Sequence, residues 1–154
     1  MAHLVWSEDL NTGIDVIDAQ HRQIVGFINQ LDDARSKGDR KLVKDVLDGL
    51  IDYTVAHFSF EETLMEDVGY AYLRPHQKVH EQFVRRVSDM RDQFERGEEV
   101  VDALHSLLHR WLFNHIRHDD DSYAKTVKGR MQKLLEDRQQ GGWLSRTVSR
   151  FFRR

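Results

Sequence analysis

The chain has 154 residues, enough for one domain with a full apolar core and too few for two, with 40% apolar residues, 32% charged residues and a single proline. This profile fits a helix-rich globular protein and excludes a disordered one, while the lack of any cysteine excludes disulfides, thiolate metal ligands, iron–sulfur clusters and cysteine nucleophiles. The formal charge of −3 is unevenly spread: residues 143–154 carry four arginines and no acid, leaving about −7 on the rest, and nine histidines are a high count for this length.

The N-terminal stretch Met1 to Glu8 has neither a basic nor an apolar leader pattern, and no apolar run reaches the length of a membrane span. An arm on a cytoplasmic protein is the expectation. Apolar residues then recur at helical spacing in four long segments, with no sustained period-two alternation and no solenoid-length repeat. The first segment carries Ile14, Ile17, His21, Ile24, Val25, Ile28 and Leu31 on one face and stops at Ser36-Lys37-Gly38, with the glycine as C-cap. Asp39 can cap a second helix of about thirty residues, whose inner face includes Thr54, His57, Phe58, Glu61 and Met65 and which ends near Gly69. Pro75 sits where a third helix opens, His76 and His80 lie on its apolar stripe, and Arg96-Gly97 closes it. A fourth helix is predicted from about Glu98 through Leu104, Leu108, Trp111, Leu112 and His115, with helical pattern continuing to about Arg138 before Gly141-Gly142.

Short connections between long helices predict an all-α, antiparallel up-down-up-down four-helix bundle with an N-terminal arm and a short C-terminal extension. That topology places the start of the first and third helices and the end of the second and fourth at the same end. Counted from the loops at Lys37 and Gly97, His21, His57, His80 and His115 each lie about 16 to 20 residues away, roughly 25–30 Å at about 1.5 Å per residue. One layer of the bundle thus receives a histidine from every helix. Glu61 follows His57 by one turn, and His80 follows His76 by one turn, so each pair shares a face. Asp120 is five residues after His115 and would be rotated away on a regular helix; a π-bulge near His118-Asp119 would bring it inward, and Asp119 is the geometrical rival.

Burying five imidazoles and two carboxylates without compensation would cost several kcal/mol for each ionised group, against a typical domain stability of about 5–15 kcal/mol. A metal cluster removes that cost, and seven nitrogen and oxygen ligands imply two metals rather than one tetrahedral zinc. Imidazole-rich sites with bridging carboxylates suit iron, and bundle interiors commonly hold di-iron centres. Two carboxylates where oxygen-activating bundles use four leave the site less able to stabilise high-valent iron, which favours binding oxygen over splitting it. Phe58, Trp111, Leu112 and Ile24 are expected to keep the pocket dry. His105 and His109 share the same spacing but lie nearer the Gly97 loop, with no acid or histidine expected at inward positions opposite; His3 and His118 are read as lying at the surface or behind the ligands.

The runs Ile17-Asp18-x-Gln20-His21, His57-Phe58-x-x-Glu61-Glu62, His76-x-x-x-His80 and Trp111-Leu112-x-x-His115-Ile116-x-x-x-Asp120-x-x-Tyr123 resemble the signature of the hemerythrins, in particular the single-domain bacterial kind, over about residues 4 to 130. The resemblance implies reversible oxygen binding at two iron ions (Fe2+/Fe3+) joined by an oxo or hydroxo bridge. It implies that His76, His80 and His115 saturate one iron, that His21 and His57 hold the other with an open position, and that Glu61 and Asp120 bridge the pair. It also selects Asp120 over Asp119 and places Trp111 and Leu112 in the oxygen pocket beside Ile24 and Phe58.

These readings divide the chain into an oxygen-binding domain, 1–140, and a basic amphipathic tail, 141–154, in which Leu144, Val148, Phe151 and Phe152 fall on one side and the arginines largely on another. Weak docking of residues 143–154 on a membrane or a protein partner is the expectation for the tail, and a nucleic-acid partner is not expected. The function read is storage, delivery or sensing of oxygen by a protein that is not an enzyme. The alternatives are a di-iron enzyme handling peroxide or nitric oxide, and an interaction domain responsive to iron or oxygen.

Overall fold

The computed structural model describes residues 3–120, 124–129, 146 and 150–152, with backbone alone for 118–120. Four helices, α1 (Asp15–Ser36), α2 (Arg40–Asp67), α3 (Leu73–Glu95) and α4 (Val101–Asn114), form the antiparallel bundle, preceded by an arm with a 3-10 turn at Glu8–Leu10. The loops are short because each helix end is closed locally. The Asp39 carboxylate accepts from the Leu42 N–H at 3.1 Å and caps α2. At the end of α3, Gly97 takes a positive φ of 90°, so that its N–H reaches the Phe94 carbonyl and the Glu98 N–H reaches the Gln93 carbonyl. The same double turn closes α2 at Gly69.

Two boundaries differ from the sequence expectation. Helix α3 begins at Leu73, so Pro75 falls inside the first turn, where its missing N–H is still one of those without an acceptor in the helix. Helix α4 begins at Val101 rather than near Glu98, because Glu98 is engaged in the turn that closes α3. Beyond Asn114 the ladder changes to a π-helical turn, His115–Asp120, and helical backbone resumes over 124–129. The pattern predicted up to Arg138 and the Gly141-Gly142 break lie outside the described residues.

The core consists of two apolar clusters. The larger runs along the bundle interior through Ile28, Leu31, Leu47, Leu50, Leu104 and Leu108, all nearly free of solvent contact. The smaller lies at the far end, where Ile14, Ile17, Phe60, Leu64, Ala124 and Val127 pack together. Between them lies a layer of buried histidines. Phe151 and Phe152, from the tail, are partly buried against the smaller cluster, with the Phe152 ring 5.3 Å from Tyr53 and 5.9 Å from Phe60. The apolar side of the tail's end is therefore engaged by the bundle itself. Among the described residues, no helix is long and apolar enough to cross a membrane.

Candidate metal centre

The entry to α1 is fixed by a buried carboxylate. Asp18 accepts from the Thr12 N–H at 2.7 Å, the Thr12 hydroxyl at 2.8 Å and the Gly13 N–H at 3.1 Å, which fastens the preceding loop onto the first turn of the helix. Before it, Leu4 pairs with the Asn29 side chain through both its N–H and its carbonyl, so the arm lies along α1. His21 then projects inward one turn after Ile17, at 1% exposure.

Five histidines and one glutamate meet in the layer between the two apolar clusters. His76, His80 and His115 form one group and His21, His57 and Glu61 a second, and within each group one ligand atom from every residue lies within 4.8 Å of the others. All six are buried, none more than 5% exposed. The ring centroids of His76 and His80 are 4.5 Å apart, those of His80 and His115 4.9 Å, and those of His21 and His57 4.7 Å. Glu61 links the groups: its Oε1 is 2.8 Å from His57 Nε2 and 3.9 Å from His80 Nε2. A carboxylate between two sets of imidazoles stands where a bridging ligand would.

The hydrogen bonds behind the rings decide which nitrogen faces the centre. Gln20 Oε1 accepts from His57 Nδ1 at 2.6 Å, which turns Nε2 toward the centre, 2.8 Å from a carboxylate oxygen of Glu61. Glu62 Oε2 does the same for His80 Nδ1 at 3.4 Å, and His80 Nε2 then meets His115 Nε2 at 3.0 Å. Burial pushes the His80 pKa below the usual imidazole range, against the pull of Glu62 and Glu61, so the ring is neutral near pH 7. Lone pairs of neutral imidazoles and a carboxylate brought this close repel one another unless a proton or a cation lies among them. Six nitrogen and oxygen donors in two overlapping groups fit two metal ions.

The fourth helix reaches this layer through its change of pitch. In the π-helical turn His115–Asp120 the hydrogen bonds run from residue i to i+5, which brings residues five apart onto one face. The backbone irregularity anticipated from the spacing of His115 and Asp120 is thus present. The side chains of His118, Asp119 and Asp120 lie outside the described residues, and so does Tyr123.

A small enclosed cavity of about 10 Å³ adjoins the His21 and His57 side of the layer. Ile24, Phe58, Trp111 and Leu112, all expected at the pocket, line it, together with Ile28, Thr54, Phe83 and Leu108, which sequence reasoning had left as ordinary core. Phe58 stacks on His80 at 3.7 Å between centroids, Trp111 stacks on His115 at 4.4 Å, and Phe83 stacks on Trp111 at 3.7 Å. Aromatic faces therefore close the centre on the α3 and α4 side. Gln20 and Glu62 stand beside ligand-type residues in the runs quoted above, but their part in orienting His57 and His80 was missed, because it depends on which atom each ring turns toward them.

Two outlying histidines are also placed. His3 is half exposed and its Nε2 bonds Asp33 Oδ1 at 2.7 Å. His105 corrects the sequence reading: it is 3% exposed, and Asp32, a buried acid on α1, lies close enough to raise its pKa, in place of the acid-free surroundings expected. Burial outweighs that pull and holds the His105 pKa below the usual range, with His109 and Arg35 acting in the same direction.

The family model described as "Hemerythrin HHE cation binding domain" matches residues 12–127. A protein named bacteriohemerythrin from Pseudomonas aeruginosa (strain LESB58) is 55% identical over 152 residues, covering 99% of each chain. One of the same name from Stenotrophomonas maltophilia (strain R551-3) is 50% identical over the same share. A crystal structure titled as wild-type hemerythrin superposes with a TM-score of 0.77 at 34% identity, covering 82% of this chain and 98% of that one.

Two outcomes are expected from the site as drawn. Replacing Gln20 by Leu removes the acceptor that fixes His57 and should weaken Co2+ binding by about 10–100-fold in a calorimetric titration, whereas Gln20→Glu should retain it. Equal affinity for the Leu variant would refute the orienting role. For the metal-free protein, His105 titrates below the unfolded chain's value near 6.5, so the unfolded state binds more protons and stability falls as pH drops below about 6.5. Thermal unfolding should show a lower Tm at pH 5 than at pH 7, with a smaller difference in His105→Gln; an identical difference in that variant would exclude His105 as a source.

Proposed function

Because the chain belongs to the hemerythrin family, we propose that it binds dioxygen reversibly at a pair of iron ions joined by an oxo or hydroxo group. The observation that carries this reading is the place of Glu61 between two groups of buried imidazoles. In it, with Glu61 and Asp120 as the shared carboxylates, His76, His80 and His115 would hold one iron and His21 and His57 the other. Such a pair, when bound, supplies two electrons to dioxygen and recovers them on release. The cavity bordered by Ile24, Phe58, Trp111 and Leu112 is also lined by His21 and His57, so it is where the gas would be received.

The chain's own residues do the rest. Gln20 and Glu62 hold His57 and His80 with their Nε2 lone pairs turned inward. Phe58 and Trp111, stacked on His80 and His115, exclude water from the ring edges, and Ile24 and Leu112 give the gas an apolar wall that offers no proton. An imidazole-rich donor set holding few carboxylates favours carriage over oxidation chemistry, so the protein acts as a binder rather than an enzyme. Storage, delivery and sensing all draw on this same property.

The division into a binding domain, 1–140, and a basic tail, 141–154, belongs to the proposal. So does weak docking of residues 143–154 on an anionic membrane, in which Phe151 and Phe152 would have to leave Tyr53 and Phe60.

Anaerobic iron loading followed by oxygen addition and removal should give a visible charge-transfer band that rises and fades without net oxygen consumption; continuous consumption would instead mark an oxidase. His57→Ala should abolish the stable band, and His105→Ala should leave it unchanged, the reverse pattern meaning that the centre is misplaced. On anionic vesicles the full chain should float and the 1–140 form should not; equal flotation removes membrane docking.

A further inference from the structure

Three voids lie in sequence between the surface and the candidate centre. The cavity that faces His21 and His57 shares Thr54, Phe83 and Leu108 with a second small void, also of about 10 Å³, set between α2, α3 and α4. That second void shares Val84 with an open groove of about 360 Å³ between α2 and α3, whose rim includes the exposed Val55. The groove also touches the first cavity directly, but only through Phe58. Phe58 is 4% exposed, stacked on His80 and in ring contact with Phe83 and Trp111, so swinging it aside would disturb a ligand-type histidine. Val84 is only partly buried and makes no such stack. Val84 is smaller than an aromatic ring and packs on no ligand-type ring in a stack, so it obstructs the opening less than Phe58 does. The easier way in therefore runs past Val84.

The size and chemistry of the second void select its occupant. Six of its seven lining residues are apolar, Thr54 being the exception, and a water molecule needs two to four polar partners to be held in such a place. Its volume, about 10 Å³, is close to the least that holds one small molecule, so it suits a single small apolar gas particle. We propose that this void is a staging site for an apolar diatomic gas, dioxygen, on an entry route that leads from the α2–α3 groove past Val84 and then between Thr54, Phe83 and Leu108 to the metal-facing cavity. The inference rests on the oxygen-binding reading above. The second void is lined by none of the buried donors, whereas His80 and Glu62 line the outer groove together with Val84.

Stopped-flow and flash-photolysis measurements on the iron-loaded full chain test it. Val84→Phe, which plugs the outer opening, should slow oxygen association and dissociation together by about tenfold and leave Kd within about twofold of the parent. Val84→Ala should speed both. Unchanged rates in both variants, or a changed Kd with unchanged association, would overturn the route. Xenon-pressurised crystals give an independent readout: a xenon atom beside Thr54, Val87 and Leu108 supports the site, and xenon bound elsewhere with this void empty overturns it. Should the parent protein form no reversible oxygen band, the oxygen-binding reading fails by itself, and the xenon result still decides whether the void takes an apolar gas.

Discussion

The structure depends on one electrostatic constraint, the burial of imidazole nitrogens and a carboxylate oxygen at distances of 2.8 to 3.9 Å from one another. Such atoms attract one another only where a proton or a cation lies between them, and in a low-dielectric interior solvent screens them little. A metal cation among them would attract every donor at once. The bundle can hold the donors in this strained company because apolar packing on both sides of the layer fixes the helices that carry them. The larger cluster clamps one side, and Ile14, Ile17, Phe60 and Leu64 clamp the other.

Convergence from four helices demands tight control of register. A helix that slips by one residue turns its side chains by about 100° and moves them about 1.5 Å along the axis, which would carry a histidine out of the layer. The termini supply that control. Asp39 sets where α2 begins, the glycine turns at Gly69 and Gly97 set where α2 and α3 end, and the Asp18 carboxylate sets the approach to α1. None of these groups reaches the centre. Each fixes the rotation of an element whose ligand lies further along, so local turn chemistry is converted into the geometry of a distant site.

The fold and most of the centre were legible because they rest on periodicity and counting. Gly38 and Gly97 marked the loops, and distances from those loops placed His21, His57, His80 and His115 at one height, which the structure reproduces. The spacing of His115 and Asp120 could announce that the helix must change pitch, since a regular helix cannot serve both, and the π-helical turn occupies that stretch. What could not be read follows from cross-helix distances. Gln20 reaches His57 only because α1 and α2 cross where they do, and Asp32 reaches toward His105 for a similar reason. The start of α4 was displaced to Val101 because a turn hydrogen bond claims Glu98, a competition between neighbouring elements that helix propensity does not express. The tail's Phe152 meeting Tyr53 and Phe60 likewise depends on a chain path that amphipathicity alone leaves open.

A dry centre sets a further problem, since the walls that exclude water must still admit a gas. A continuous channel wide enough for dioxygen would also be wide enough for water, and each buried polar donor would then compete for hydration. Separated voids avoid this, because water entering an apolar void gives up its hydrogen bonds while a nonpolar diatomic gives up almost nothing. Selectivity then comes from the chemistry of the walls rather than from the width of a pore. The partition of Thr54, Phe83 and Leu108 belongs to three different helices, so its opening follows small side-chain motions that leave the backbone in register. Close packing against the ligand rings on one side and looser packing between α2 and α3 on the other thus let the same bundle be rigid at the donors and permeable beside them.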